Sequence, residues 1–284
     1  MEMTKRIILL FLIVFGPISG LAQKRHALVV GIGQYEDSRW GSIHGDSDVD
    51  YAVAMLKANG FKDIRTLRNA DATKRAILSA FRSLRNRCGR GDKVYIHFSG
   101  HGQQVTDLDG DEDDGYDEAW IPYDAQPYYS ASYRGENHLT DDELNGVLTQ
   151  IRMKIGPSGR MLVVVDACHS GSATREPGDT TVARGFDRKF EIPGRKPHRK
   201  KPAPEDWITL SACQSYQVNW ELTRPAVGKL TWSLHELGDR LHTLSNQELE
   251  ASIARIMQEN PGPLSQTPAM TGCLDTESVK DLFE

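Results

Sequence analysis

The sequence predicts an α/β fold built on a mostly parallel sheet, and three observations predict it. Apolar, β-branched runs without alternation, such as Leu162–Val165, are the pattern of strands buried on both faces. Segments with helical spacing separate these runs, and strand, helix, strand, helix in succession builds a parallel sheet. Two of the runs end in reactive groups, His101 after Tyr95–Phe98 and Cys168 after Met161–Val165. In open α/β sheets chemistry collects where such strands end.

The elements follow in order. Lys5 and Arg6, the apolar run Ile7–Val14 and the small residues before Ala22 read as a secretory signal peptide over residues 1–22. An uncleaved anchor is the rival, but the apolar stretch is broken by Gly16 and Pro17 and is shorter than the ~20 residues of a membrane span. The expectation is therefore export, to a periplasm or the exterior, without a stable membrane anchor. Residues 23–284 suit one α/β domain. His26–Ile32 reads as the first strand, and Asp48–Asn59 carries Val49, Ala52, Val53 and Leu56 at helical spacing with Gly60 as its stop. Thr73 caps a second helix through Ile77, Ala80, Phe81 and Leu84, and Lys93–Phe98 is the strand leading to His101. Thr140 to Glu143 and Ser245 with Glu248 read as capping boxes opening two more helices, and Trp207–Ala212 is a further strand.

Composition narrows the function. A formal charge of −5 over 284 residues gives no footprint for nucleic acid. Four cysteines, Cys88, Cys168, Cys213 and Cys273, are too few for a disulfide scaffold. If Cys168 stays a thiol, at most one disulfide can form among the other three. Two stretches are too charged for a core and are expected as exposed loops. Eight carboxylates fall within Asp107–Glu118, and eight Lys or Arg residues fall within Arg184–Lys201, inside a basic linker spanning about 175–206.

Asp166 stands two residues before Cys168, so on a strand both side chains leave the same face and share one cleft. A thiol near pKa ~8.5 is a modest nucleophile until a base takes its proton, and His101 is the base on offer. His169 points to the other face and reads as structural.

Ser99-Gly-His-Gly102 and Asp166-Ala-Cys-His-Ser-Gly171, His before Cys, resemble the two catalytic motifs of the caspase-like cysteine peptidases and most closely of the metacaspases. The acidic segment from Asp107 and Pro122-Tyr-Asp124 resemble that family too, over about His26 to Gly272. The resemblance implies a three-layer α/β/α sandwich around an about six-stranded sheet. It implies an endopeptidase in which Cys168 attacks a peptide carbonyl, His101 handles the proton, and the N–H groups of Gly102 and Cys168 hold the oxyanion. One such donor is worth ~3 kcal/mol. It further implies cleavage after Arg or Lys, with Asp48, Asp166 and Ser99 binding that side chain. Two acids in a cleft suit a cation. Asp48 also fits a helix N-cap, and Asp46 competes for the pocket role.

No cofactor is implied for the chemistry, but calcium is implied as an activator at positions near Asp117, Asp141 and Asp142. Arg175 stands where the family has a further acid, and Asp141 and Asp142 equally suit first-turn helix charges. An EF-hand is excluded because Glu112 occupies the glycine position of such a loop. Expected partners are peptides or proteins with Arg or Lys at the cleaved position, and the chain itself. Self-cleavage is expected between about Thr174 and Glu205, after Arg184, Lys189, Arg195 or Lys200. The alternatives are a silent caspase-like recognition module and a calcium-binding or metal-dependent hydrolase.

Overall fold

A computed structural model describes residues 23–108, 110, 112, 114–168, 182–186, 188–194, 205–260 and 265–284. The expected leader, His169, Arg175, Arg195 and Lys200 lie outside them. Eleven strands and six α-helices are formed among the described residues. They are β1 (Arg25–Gly31), α1 (Gly45–Ala58), β2 (Asp63–Arg68), α2 (Lys74–Arg87), β3 (Lys93–Ser99), β4 (Gly102–Thr106), β5 (Tyr116–Trp120) and β6 (Leu139–Thr140). There follow α3 (Asp141–Ile155), β7 (Arg160–Asp166), β8 (Ile208–Ser211), β9 (Glu221–Thr223), β10 (Ala226–Gly228), α4 (Lys229–Leu237), α5 (Asn246–Glu259), β11 (Ala269–Gly272) and α6 (Lys280–Phe283).

The main sheet has the order β11-β8-β7-β3-β1-β2, parallel throughout except for the β11–β8 pair at one edge. Alternate residues of the central strands feed two cores. Leu28, Ile96 and Val163 pack with Ile77 and Phe81 of α2 and Leu148 and Ile151 of α3. Val29, Tyr95 and Val164 pack with Leu56 of α1, Leu234 of α4 and Ile253 of α5. The result is a three-layer α/β/α sandwich, as the two-sided burial of its strands requires. Among the described residues no helix is long and apolar enough to cross a membrane.

Helix starts follow the sequence signals unevenly. Ser245 and Glu248 close a full capping box, and Thr73 accepts from the Ala76 N–H at 3.3 Å. Thr140 occupies the N-cap of α3 but makes no side-chain cap bond, so that box is not formed. Helix α1 begins at Gly45, which puts Asp48 in its first turn rather than at the cap.

The two charged stretches depart from expectation. Asp107 is fully buried, its carboxylate accepting from the N–H groups of Gly110 and Glu112, and Asp117 is buried as well. In the basic stretch Arg184, Phe186 and Phe190 are buried, Phe186 edge-on to Trp40 at 4.8 Å between ring centroids. Phe190 packs on His138 and exchanges backbone hydrogen bonds with Gln104 and Thr106. Reading these stretches as exposed loops is thus corrected for 182–186 and 188–192: charge density concealed two aromatic anchors and one arginine with a buried partner set. Cys88, Cys213 and Cys273 are free thiols, so the one disulfide that the sequence left open is not made.

Candidate active site

Strands β3 and β7 are neighbours in register, Ser99 opposite Asp166. His101 and Cys168 each lie two residues beyond that pair, so both leave the sheet at the same height. Gly100 N–H donates to the Asp166 carbonyl at 3.3 Å and ties the two strand exits together. The two motifs then meet on one atom. The backbone N–H groups of Cys168 (3.1 Å) and Gly102 (3.4 Å) both donate to the carbonyl oxygen of Arg184.

The His101 ring lies between aromatic neighbours, 5.2 Å from Tyr35 and 5.9 Å from Trp40 between centroids. Its backbone N–H donates to the Tyr35 hydroxyl at 2.7 Å, and its Nε2 lies 3.3 Å from the Gly41 carbonyl. A carbonyl can only accept, so Nε2 carries the hydrogen and Nδ1 is the basic nitrogen of the neutral ring. The Cys168 thiol donates to the Gln217 carbonyl at 3.1 Å, and Cys213 reaches the same oxygen at 3.5 Å. Hydrogen bonding to Cys168 and burial push the Cys213 thiol far up, which keeps it protonated.

Below this point lies a buried anionic pocket. Ser99 and Asp166 point to the α1/α4 face of the sheet, and Asp48 joins them from the first turn of α1. The helix-start residue Thr231 donates to Asp166 Oδ2 from its N–H (2.9 Å) and hydroxyl (2.7 Å). Asn219 Nδ2 donates to Asp166 Oδ1 at 2.8 Å, and Gly228 N–H donates to Asp48 Oδ1 at 2.9 Å. The guanidinium of Arg184 fills the pocket with no exposed surface. Its Nη1 meets Asp48, the Ser99 hydroxyl, and Asp166 Oδ1 at 3.3 Å, while its Nε donates to Glu221 Oε1 at 2.9 Å. Burial pushes Asp48 up to about 6 against the pull of Arg184. Asp166 goes the other way: its burial is outweighed by Arg184 and by the hydrogen bonds from Asn219 and Thr231.

Gly228 makes room for this arrangement. A Cβ there would stand 2.2 Å from Asp166 Oδ2 and 2.6 Å from Arg184 Nη1. The segment around Arg184 lies across the site as an added strand. Arg184 N–H donates to the Asn219 carbonyl and Glu221 N–H to the Val182 carbonyl, both at 2.9 Å, pairing Ala183 with Trp220 antiparallel.

The structure therefore gathers His101, Gly102, Cys168, Ser99, Asp48 and Asp166 in one place. It excludes Asp46 from the pocket, since Asp46 accepts from Asn69 instead. Glu221, Thr231, Asn219 and Gly228 carry no motif, and sequence reading missed them. The one signal at Glu221 is a carboxylate between the apolar residues Trp220 and Leu222.

Among the described residues one group of carboxylates could hold a cation. Glu112, Glu118 and Asp141 offer carboxylate oxygens within 4.8 Å of one another. Asp117 precedes Glu118 on β5 and so leaves the opposite face of the strand, and of the expected trio only Asp141 belongs to this group. Burial together with neighbouring carboxylates pushes Glu118 and Asp141 each up to about 7. Hard oxygen donors that repel one another suit calcium.

Solved structures share this architecture. A protein from Geobacter sulfurreducens aligns over 87% of this chain and 92% of its own, with a TM-score of 0.62 at 24% identity. Caspase-1 from Spodoptera frugiperda aligns over 88% and 89%, with a TM-score of 0.59 at 13% identity. The fold is thus caspase-like. Residues 25–177 match the family described as metacaspase, peptidase C14 domain, and the chain belongs to that family. Among its relatives, Metacaspase-1B of Aspergillus terreus is 39% identical over 74% of this chain and 62% of that protein. Metacaspase-1A of Aspergillus niger is 35% identical over 53% of this chain, which spans 36% of that relative's length.

Proposed function

We propose that the protein is a cysteine endopeptidase that cuts after Arg or Lys and first cuts itself after Arg184. The observation that carries this reading is the seating of Arg184. Its carbonyl oxygen accepts from Gly102 and Cys168 while its side chain is held by Asp48, Asp166 and Glu221. Backbone, carbonyl and side chain are each bound as a substrate's would be, with Gly185 on the leaving side. Lys189, another expected cleavage position, has its ammonium over the Tyr116 ring at 3.5 Å and away from the pocket.

In the reaction His101 Nδ1 takes the Cys168 thiol proton and the sulfur attacks the Arg184 carbonyl carbon. Charge developing on the carbonyl oxygen meets two backbone N–H groups already aimed at it. His101 then gives its proton to the Gly185 nitrogen as the C–N bond breaks, and water hydrolyses the thioester. Glu112, Glu118 and Asp141 would hold a calcium ion, which would supply positive charge to a strand beside the site and no bond-making chemistry. Protein substrates reach the enzyme after export under the N-terminal signal.

Incubating the purified chain beside Cys168→Ala, with new N-termini sequenced, tests the reading. A fragment beginning at Gly185 from the wild type alone is the expected result, together with turnover of peptides carrying Arg or Lys before the cut. Equal cleavage in both chains overturns it. Silence toward every peptide points instead to a recognition module, and turnover surviving the substitution points to a metal-dependent hydrolase.

A further inference from the structure

We infer that Glu221 makes the pocket an arginine site in preference to a lysine site, reading the guanidinium Nε that no other pocket residue touches. The inference rests on the reading of Arg184 as the residue before the cut. Every other side-chain contact in the pocket converges on Nη1: Asp48, Ser99 and Asp166 all meet that one nitrogen. Glu221 Oε1 alone accepts from Nε, at 2.9 Å.

The discrimination follows from covalent geometry. Counted from Cα, a lysine places its Cε methylene where arginine has Nε–H, and its ammonium where arginine has Cζ. The ammonium keeps its charge on the side of Asp48, Ser99 and Asp166, but Glu221 Oε1 then faces a methylene where it had accepted an N–H. The Glu221 side chain is fully buried, so no water replaces the lost N–H, and a buried carboxylate that loses its one guanidinium donor keeps only its contacts with His44, at a cost. Lysine is accepted by the three residues deep in the pocket and penalised by the fourth.

Glu221 is also placed before substrate arrives. Its Oε1 accepts from the His44 backbone N–H and its Oε2 contacts His44 Nδ1, both at 2.7 Å. Its own N–H donates to the carbonyl of Val182, two residues upstream of the bound arginine. One residue thereby links the docked backbone to the side-chain pocket, and His44 holds the carboxylate aimed at Nε.

The test is a double-mutant cycle with peptides as a second readout. Release of the Gly185 fragment is timed in the full chain, in Arg184→Lys, in Glu221→Gln and in the double variant. Matched Arg and Lys peptides are assayed on wild type, Glu221→Gln and Asp48→Asn. Arg184→Lys should slow self-cleavage about 10- to 100-fold beside Glu221 and less than about 2-fold beside Gln, since one charge-assisted hydrogen bond is at stake. The peptide Arg/Lys ratio of kcat/KM should collapse in Glu221→Gln, whereas Asp48→Asn lowers both peptides together. A ratio unmoved by Glu221→Gln overturns the inference while leaving the peptidase reading intact; absence of any fragment and any turnover in wild type overturns both. Should Glu221→Gln fail to fold, the wild-type ratio decides: Lys peptides cut as fast as Arg peptides sink the assignment.

Discussion

The backbone N–H of Cys168 donates to the carbonyl oxygen of Arg184 at 3.1 Å, so the residue proposed as nucleophile grips a peptide bond of the same chain. Both ends of the grip lie in segments that the sequence places sixteen residues apart. The intact chain therefore occupies its own site, and its consequences can be measured.

Arg184→Gln removes the cation and leaves Asp48, Asp166 and Glu221 buried together. Breaking such a set by deleting one partner costs about 3–5 kcal/mol. Urea denaturation in a Cys168→Ala background, where no cut intervenes, should show a loss of that order. Self-cleavage at Gly185 should fall at least about 100-fold. A variant as stable as its parent would mean that the arginine contributes nothing to the intact fold.

Gly228→Ala drives a methyl into the space shared by Asp166 Oδ2 and Arg184 Nη1, at 2.2 and 2.6 Å. Both neighbours are held by several bonds, so neither gives way cheaply. Turnover of Arg peptides should drop at least about 100-fold, chiefly through KM. The check is steady-state kinetics beside a circular dichroism spectrum, and normal KM would show that the pocket is wider than the geometry states.

The pocket should lose its grip in acid. Burial pushes Asp48 up to about 6 even with Arg184 beside it, and a substrate arginine in the same seat leaves it buried in the same way. As pH falls through 6 Asp48 takes a proton and the pocket loses one negative charge. KM for Arg peptides should rise about tenfold per pH unit below that point. An acid limb confined to kcat would assign the titration elsewhere.

Calcium should stabilise the protein more at high pH than at low. Glu118 and Asp141 are raised to about 7 from ordinary carboxylate values, so between those values the folded state binds more protons than the unfolded one. Stability therefore falls as pH rises from about 4 through 7. A bound divalent ion offsets that repulsion once the acids are ionised. Thermal melts with millimolar calcium or EDTA should show a larger Tm increase at pH 8 than at pH 5.5, lost in Asp141→Asn. Equal melts with and without the ion would exclude the cluster as a site.

Much of the fold was legible because burial on both faces of a parallel sheet writes itself as unbroken apolar runs. β1, β3, β7 and β8 were each found within a residue or two, as were the starts of α2 and α5, and α1 was found with its start three residues late. Strand β2, Asp63–Arg68, was missed: at the sheet edge its residues are half-buried or exposed, and its sequence DIRTLR carries no apolar run. The short strands β4, β5, β6, β9 and β10 were missed because pairs of such length rest on partners distant in sequence.

Sequence alone singled out the candidate nucleophile and base, because a thiol and an imidazole each after a buried strand need only chain order and local pattern. It also determined the sandwich and the acids Asp48 and Asp166. Tertiary structure alone decided that Glu221 and Gly228 complete the pocket, that Asp46 does not, and that Glu118 stands beside Asp141. It decided too that Arg184, one of eight cations in a basic stretch, is fully buried. The physical reason is that a charge is buried only where partners converge on it, and those of Arg184 converge from α1, β3, β7 and β9, whose meeting no local pattern encodes.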